Sequence, residues 1–530
     1  MIFSHFNKKK NSLPDKWNKI KDEPFEFDLI DSYFKNKDQA SAFQIINNKT
    51  INDIDLYDLF TFIDRTSSKI GQQYLLDKLF TINTNLSFDP QEKLIKYFIE
   101  NEDARNKTRH LLSRLNKHEA YYIPDLFLTP YVQKPKWFWI IPIISVLPLT
   151  ALIATFFIPK MFFPFALLIV LNIVFHYLNK RNIFVYIDSI PQLLILCGTV
   201  RELIKSDIPI TSSDKVLDSL KSISSLKKGL TIFKLEEKSN GSELAAILLL
   251  FVEYFKIFFL IEPQIVFATL KKLEKKRGDI QKLYEYVGEI DTAISIASLR
   301  ATVPYYCQPV FHNISKLLYA KDLYHPLITN AISNTIDIGG KSILLTGSNM
   351  SGKTTFIRTI AINTLLAQTI NTTFATAFEL SQMRIFSAIR ISDDLLNDKS
   401  YYMEEVETVK TMIDESCSKH RNIFILDEIF KGTNTIERIA AGKAVLSHLS
   451  KGDNIVFVSS HDIELASLLN ESYNLFHFTE IVDNNNIHFD YKLKPGKLTS
   501  RNAIKILELS NYPAQIIDEA RQISATLKPE

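Results

Sequence analysis

Residues 347–354 read Gly-Ser-Asn-Met-Ser-Gly-Lys-Thr and fit the pattern G-x-x-x-x-G-K-[ST]. No other stretch restricts the fold as strongly, because this pattern works only as a tight loop between a strand and the start of a helix. The flanks agree. An apolar run, Ile343, Leu344 and Leu345, leads into it, and a helical pattern follows from Phe356. Gly347 and Gly352 permit backbone angles that a Cβ would forbid. The N–H groups of Ser348, Asn349, Met350, Ser351 and Thr355 then turn inward beside a helix N-terminus, which favours an anion such as phosphate. Lys353 reaches towards β- and γ-phosphates, and Thr354 offers a hydroxyl to Mg²⁺.

A second stretch suits the same chemistry. Asn422, Ile423, Phe424, Ile425 and Leu426 form an apolar strand that ends in Asp427-Glu428. In an α/β fold, ligands gather at the carboxyl ends of strands. Asp427 is thereby placed to hold Mg²⁺ through water, and Glu428 to orient an attacking water. A further strand over residues 454–458 leads to His461, which can sense the γ-phosphate or that water. The loop Gly432, Thr433, Asn434 and Thr435 is rich in hydroxyls and suits contact with a nucleotide across a dimer interface. Ser400, with Met403 and Glu404 following, reads as a helix cap.

Two runs without a charged residue, 137–158 and 161–178, are separated by Pro159-Lys160. A membrane span takes about 20 apolar residues. Trp137 and Trp139 stand at one end and Tyr177 at the other, as in an aromatic belt. Lys134 and Lys136 precede the pair, and Lys180 and Arg181 follow it. The expected topology is a two-pass hairpin of the cytoplasmic membrane, with both termini and the bulk of the chain in the cytoplasm. Pro142, Pro148 and Pro164 leave a buried hairpin in a soluble core as the competing account.

Elsewhere Gly is scarce and amphipathic helix dominates to about residue 308. Residues 245–261 are very apolar, but Glu253 and Lys256 mark them as a buried core helix and not a third span. Residues 270–300 are long, charged and periodic, and read as a rigid lever or coiled-coil arm. After residue 324, short β-rich runs alternate with helices, the mark of an α/β domain with a largely parallel sheet. Residues 479–494 read as a hairpin turning at 483–486. Cys197, Cys307 and Cys417 follow no metal or redox spacing, which excludes a disulfide scaffold and a zinc site as expectations. The formal net charge of +3 neither demands nor excludes nucleic acid. Residues 1–50 read as a polar tail, with Lys8, Lys9 and Lys10 solvated and no apolar signal segment.

The combined motifs resemble the MutS family of ATPases. The Asn349-Met350 pair inside the phosphate loop is typical of it. Residues 400–405, Ser-Tyr-Tyr-Met-Glu-Glu, are similar to its Ser-x-Phe-Met-x-Glu motif. Residues 427–433, Asp-Glu-Ile-Phe-Lys-Gly-Thr, are similar to its Asp-Glu-Ile-x-x-Gly-Thr signature, with Phe430-Lys431 where the family has Gly-Arg. Ser460-His461 and Tyr324-His325-Pro326 fall at its Thr-His and Arg-His-Pro. Asp64-Arg65-Thr66 with Gly71 resembles the start of its helical core, and Glu289-Ile290-Asp291 with Ser295 and Ala297 the end of its lever. The resemblance implies an ABC-like ATPase that uses ATP and Mg²⁺ and forms a homodimer through its nucleotide domains. Each site would be completed by the partner's Gly432, Thr433, Asn434 and Thr435. It also places Tyr491 near the adenine.

The expected fold is therefore mixed. It comprises a tail (1–50), a helical core in two parts (51–133 and 182–308), an inserted transmembrane hairpin (134–181) and an α/β P-loop ATPase domain (309–530). Only residues 1–50 precede the core, and Phe25-Glu26-Phe27 is not placed to act as a mismatch wedge, so an N-terminal mismatch-reading domain is expected to be missing. Two functions suit this frame. One is a membrane-anchored, DNA-binding, mismatch-repair-related ATPase with Glu428, His461 and Lys353 at its catalytic centre. The other is a membrane-anchored mechanical ATPase that acts on a protein or lipid partner.

Overall fold

A computed structural model of the chain describes residues 17–132, 134–210, 213–225, 255, 257–390, 401–483, 486–498, 503–509 and 512–526. Lys8 to Lys10, Ser400, most of 245–261 and the tip of the 479–494 hairpin lie outside these residues. The chain divides into two compact units. The first takes residues 1–38, 63–78 and 87–302, and the second takes 39–62, 79–86 and 303–530.

The first unit is helical. Its centre is the helix Arg277–Thr302, buried at 17 positions that run almost unbroken from Ile280 to Arg300. The charged texture of this stretch suggests an exposed lever, and here the structure corrects the expectation. Most of the charges lie before Ile280; of the later ones Lys282 and Glu289 are exposed, whereas Asp291 and Arg300 are buried with partners. Asp291 accepts hydrogen bonds from Ser67 N, Ser68 N and Ser68 Oγ at 2.8, 2.8 and 2.6 Å. Ser295 Oγ accepts from Arg65 N at 2.9 Å and donates to Ile63 O. The Arg300 guanidinium meets both oxygens of Glu92 at 2.7 Å. Gly71 permits this approach, since a Cβ there would lie 2.2 Å from Asp291 Oδ2. The two motifs at 64–71 and 289–297 are thus one buried polar joint.

The charge-free runs form two helical segments, Lys136–Thr155 and Pro159–Tyr177, each long and apolar enough to cross a membrane. Only 22% and 11% of their most apolar windows are buried, whereas a soluble core helix would be mostly covered. Phe156 and Phe157 at the tip are 83% and 82% exposed. The second segment does not stop at residue 178. It continues as one helix, Phe162–Ile204, through Pro191.

The second unit begins earlier in the chain than expected, and residues 17–50 are not a tail. Ile30 and Tyr33 are fully buried in the first unit. Residues 39–62 fold with the second. Strand β1 (Ala42–Ile45) pairs antiparallel with β2 (Thr81–Asn83). A four-stranded sheet that the sequence did not suggest contains β3 (Val310–His312), β4 (Leu318–Leu323), β5 (Asn334–Asp337) and β7 (Ala377–Ser381), in the order β3-β7-β4-β5.

The main sheet holds β6 (Ser342–Thr346), β8 (Arg384–Ala388), β9 (Asn422–Asp427), β10 (Ile455–Ser460), β11 (Tyr473–His477) and β14 (Lys494–Pro495). Its order is β14-β11-β6-β10-β9-β8, parallel except for β14. Between β11 and β14 lies the expected hairpin, β12 (Glu480–Asp483) with β13 (Asn486–Phe489). Every residue of β6 and β10 is buried, as a parallel sheet covered on both faces requires. Leu344, Phe424, Leu426, Val456 and Val458 pack with Leu446 and Leu449 of the helix Thr435–Leu449. The helix Lys353–Ile370, buried at 15 of its 18 positions, packs on β8, β9 and β10.

The edge strand β8 is capped by the early segment. The Gln44 amide donates to Ile385 O and accepts from Ile385 N, both at 2.7 Å. Asp53 accepts from Ser387 Oγ, Ile389 N and Arg390 N at 2.7–2.9 Å. Side chains here satisfy the open ladder that an edge strand presents.

Candidate functional site

β6 leads directly into the loop at 347–352. Gly347 has φ 138° and Gly352 φ 102°, both in the region that favours glycine. A Cβ on Gly347 would come within 2.6 Å of Phe478 O and 3.0 Å of Ser351 Oγ. A Cβ on Gly352 would lie 3.1 Å from the Tyr491 ring. Ser351 closes the loop through its N–H and Oγ, both donating to Ser348 O, at 3.2 and 2.6 Å. Ser348 Oγ is buried with no hydrogen-bond partner among the described residues. Asn349 takes part in a single 3₁₀ turn, Asn349–Ser351, and its side chain lies outside the described set. Met350 is 69% exposed, and Thr355 is exposed one residue beyond Thr354.

Lys353 is fully buried, and its Nζ donates to Gly347 O at 2.6 Å. Burial drives its pKa down to about 8, against the opposing pull of Glu428 and Asp427. Thr354 Oγ1 donates to Asp427 Oδ2 at 2.8 Å, which joins the helix start to the end of β9. Ser459 Oγ, from β10, donates to the other oxygen of Asp427. These are hard oxygen donors of the kind Mg²⁺ takes.

Glu428 follows with φ 53°, its N–H donating to Ser459 O at 3.0 Å. Its Oε2 lies 3.0 Å from Lys431 Nζ and its Oε1 lies 2.9 Å from His461 Nε2. The His461 contact is an ion pair when the imidazole is protonated. Burial raises the Glu428 pKa, but His461 and Lys431 more than reverse this and hold it at about 2. The resemblance gave Lys431 no role, and Ser459 had no sequence signal at all. Glu405, buried on the helix Tyr401–Ser416, accepts from Phe430 N and fixes the turn after Glu428.

The loop Gly432 to Thr435 stands apart from the buried cluster. Asn434 caps the helix Thr435–Leu449 by accepting from Glu437 N, and Thr433 Oγ1 donates to Glu437 at 3.0 Å. Gly432, Asn434 and Thr435 are exposed, and the adjoining Ile436 is 83% exposed.

Tyr491 is half-exposed at φ 50°, its carbonyl bonded to Asn334 Nδ2 at 3.0 Å. With Met350, Phe356 and Phe489 it lines a cavity of about 740 Å³ that opens beside Gly352. His325 also lines it, its pKa lowered to about 4 by burial and by Arg358. A volume of this size suits a small organic ligand.

The structure therefore brings Lys353, Thr354, Asp427, Glu428 and His461 together at the carboxyl ends of β6, β9 and β10, with Tyr491 beside the loop. Gly432 to Thr435 present outward. The cradle that a Cβ would fill, the buried ammonium and the orphaned Ser348 hydroxyl fit a phosphate-bearing ligand. The Thr354–Asp427 oxygens fit its divalent cation.

Residues 343–528 match the family model described as MutS domain V. Curated proteins named DNA mismatch repair protein MutS are also similar. That of Clostridium kluyveri is 28% identical over 274 residues, covering 49% of this chain and 31% of the relative. That of Thermus thermophilus is 24% identical over 270 residues, 50% of this chain and 33% of the relative. That of an Exiguobacterium species is 28% identical over 283 residues, 51% and 33%. The alignments thus cover about a third of the length of these curated relatives.

Proposed function

From the likeness of residues 343–528 to MutS domain V, we propose that this chain is a MutS-like, Mg²⁺-dependent ATPase of the mismatch-repair type. The reading has it anchored in the cytoplasmic membrane by residues 137–178 and paired with a second copy through the nucleotide domains. The observation that carries it is the convergence of Lys353, Thr354, Asp427 and Glu428 at one end of the parallel sheet.

ATP with Mg²⁺ supplies a polarised γ-phosphoryl group when bound. The 347–352 loop and Lys353 take up phosphate charge, and the buried ammonium exchanges Gly347 O for phosphate oxygens. Thr354 and Asp427 would hold the cation. Tyr491 and its cavity take the nucleoside end. Glu428, held near pKa 2, remains an anion at neutral pH, and it orients water once a lone pair is released from Lys431 or His461. The exposed Met350, Ile436 and the 432–435 loop present a face that a second copy would cover. DNA is the ligand that the mismatch-repair relatives suggest.

The test is ATP turnover by purified protein with and without duplex, mismatched and branched DNA. Lys353→Ala should abolish nucleotide binding. Glu428→Gln should keep binding, slow turnover and accumulate a nucleotide-bound dimer. Normal hydrolysis by Glu428→Gln would remove the catalytic assignment. DNA binding by this electrostatic route should weaken steeply with salt.

The exposed apolar hairpin favours a second reading, in which the same engine acts on a protein or lipid partner. Pull-down with and without DNase separates the two, because partners that survive digestion count for the second.

A further inference from the structure

The helical unit contains a cavity of about 540 Å³, remote in sequence from the phosphate loop. Four helices and the connection at 209–210 line it. The helix Lys69–Phe80 contributes Tyr74 and Lys78, one turn apart, and Arg277–Thr302 contributes Glu289 and Thr292, also one turn apart. Pro90 and Leu94, from Asp89–Glu100, form an apolar side. Pro209 and Ile210 complete the lining, with the exposed Asp214 and Lys215 of the helix Ser213–Ser224.

The polar groups here are not spent on one another. Lys78 and Glu289 feel each other's field, yet among the described residues neither forms a hydrogen bond or an ion pair within 4 Å. Burial lowers the Lys78 pKa, against the opposing pull of Glu289. Thr292 is 2% exposed, and its Oγ1 has no partner among the described residues. A buried hydroxyl without a partner is uncommon, because it forfeits its hydration. The Tyr74 side chain packs against Gly288, where a Cβ would sit 2.5 Å from Tyr74 Cγ. Glycine at 288 thus lets the tyrosine stand at the cavity wall.

If the space were a packing defect, Lys78 and Glu289 would gain by closing onto each other. Instead they form no ion pair with each other, Glu289 stays exposed, and both line a volume within the range of about 300–1,000 Å³ that small ligands occupy. The charges are also balanced, with Lys78 and Lys215 against Asp214 and Glu289. A polyanion such as a nucleotide would meet as many carboxylates as ammonium groups. A molecule carrying one charge of each sign on an apolar body matches the whole lining.

We propose that this cavity binds a small zwitterion of amino-acid to dipeptide size. Its carboxylate is set on Lys78, its ammonium on Glu289 and its apolar part against Leu94, Pro90 and Ile210. Thr292 Oγ1 supplies a further hydrogen bond. The site stands independently of the nucleotide reading.

The experiment is isothermal titration calorimetry on the full-length protein with L-leucine, L-phenylalanine and leucyl-phenylalanine. Two single-charge analogues, 3-phenylpropionate and 2-phenylethylamine, serve as controls. At least one zwitterion should bind, and each single-charge analogue should bind at least about tenfold more weakly. Lys78→Met and Glu289→Gln should each weaken the zwitterion by a similar factor. Leu94→Trp, which keeps every charge and fills the space, should abolish binding while leaving ATP turnover unchanged. The proposal is overturned if no zwitterion binds the wild-type protein at millimolar concentration. Equal binding of the single-charge analogues, or undiminished binding by Leu94→Trp, would overturn it too.

Discussion

The buried Lys353 makes a prediction that runs against the usual cost of altering a core residue. Its folded-state pKa is about 8, against an ordinary 10.5. Between those values the unfolded chain binds more protons than the folded one, so stability rises with pH across that window. At pH 7 the buried ammonium costs roughly 3 kcal/mol, at 1.36 kcal/mol per pKa unit. Lys353→Met keeps most of the side-chain length and removes the charge, but also the hydrogen bond to Gly347 O, which contributes about 1 kcal/mol. The nucleotide-free variant should therefore be more stable than wild type by about 2 kcal/mol. That corresponds to a melting temperature roughly 4–8 °C higher for a unit of this size. The advantage should shrink by about 1 kcal/mol between pH 7 and pH 9, as the wild-type lysine loses its proton in the folded state. Differential scanning calorimetry at both pH values, with and without Mg²⁺ and ATP, reads all of this. Wild type should gain stability from ATP and the variant should not. If the nucleotide-free variant melts at or below wild type at pH 7, the picture of a lysine held at a cost by its burial is wrong.

Three further outcomes follow from the geometry. Gly71→Ala should destabilise the helical unit by about 3 kcal/mol, because its Cβ would strike Asp291; in Gly71→Ala/Asp291→Ala the two losses should sum to less than additivity, as thermal unfolding would show. Asp427→Asn should raise the Mg²⁺ concentration for half-maximal ATP turnover by about 10–100-fold, and an unchanged Mg²⁺ titration would remove Asp427 from the cation site. The protein should remain in the membrane pellet after alkaline carbonate washing, given two exposed apolar segments, and quantitative release would refute the hairpin anchor.

What could be read from the sequence was whatever is written locally. The phosphate loop, the strand ending in Asp427-Glu428 and the charge-free runs each carry their physics within a few consecutive residues. Even the 480–489 hairpin was legible, because turn residues sit between two alternating runs. The polar joints were not. Asp53 and Gln44 look like surface residues in a polar segment, yet they saturate the edge of β8 more than 330 positions away in sequence. Hydrophobic periodicity records where apolar groups go, and it is silent about a carboxylate buried because three donors await it. The same blindness made the helix Arg277–Thr302 look like an exposed arm. Asp291 and Arg300 read as solvent-facing until their partners, Ser67, Ser68 and Glu92, arrive from the other end of the chain. Only the family resemblance pointed to both halves of that joint, and it did so without pairing them.

The turn after β9 shows why the candidate site needed three dimensions. Glu428 and Phe430 both take left-handed backbone angles, φ 53° and 60°, which are costly for side chains of this size. Such angles persist only where surrounding contacts impose them. Here Glu405 accepts from Phe430 N, and Ser459 O accepts from Glu428 N. The strain buys a specific arrangement, in which the Glu428 carboxylate faces Lys431 and His461 while the chain turns outward into the exposed 432–436 segment. One short turn therefore joins the carboxylate assigned to water with the surface assigned to a second copy. On the proposed reading, a partner that covers Ile436 acts on the same few residues that hold Glu428. Nucleotide chemistry and association are then coupled through Lys431 without any longer pathway.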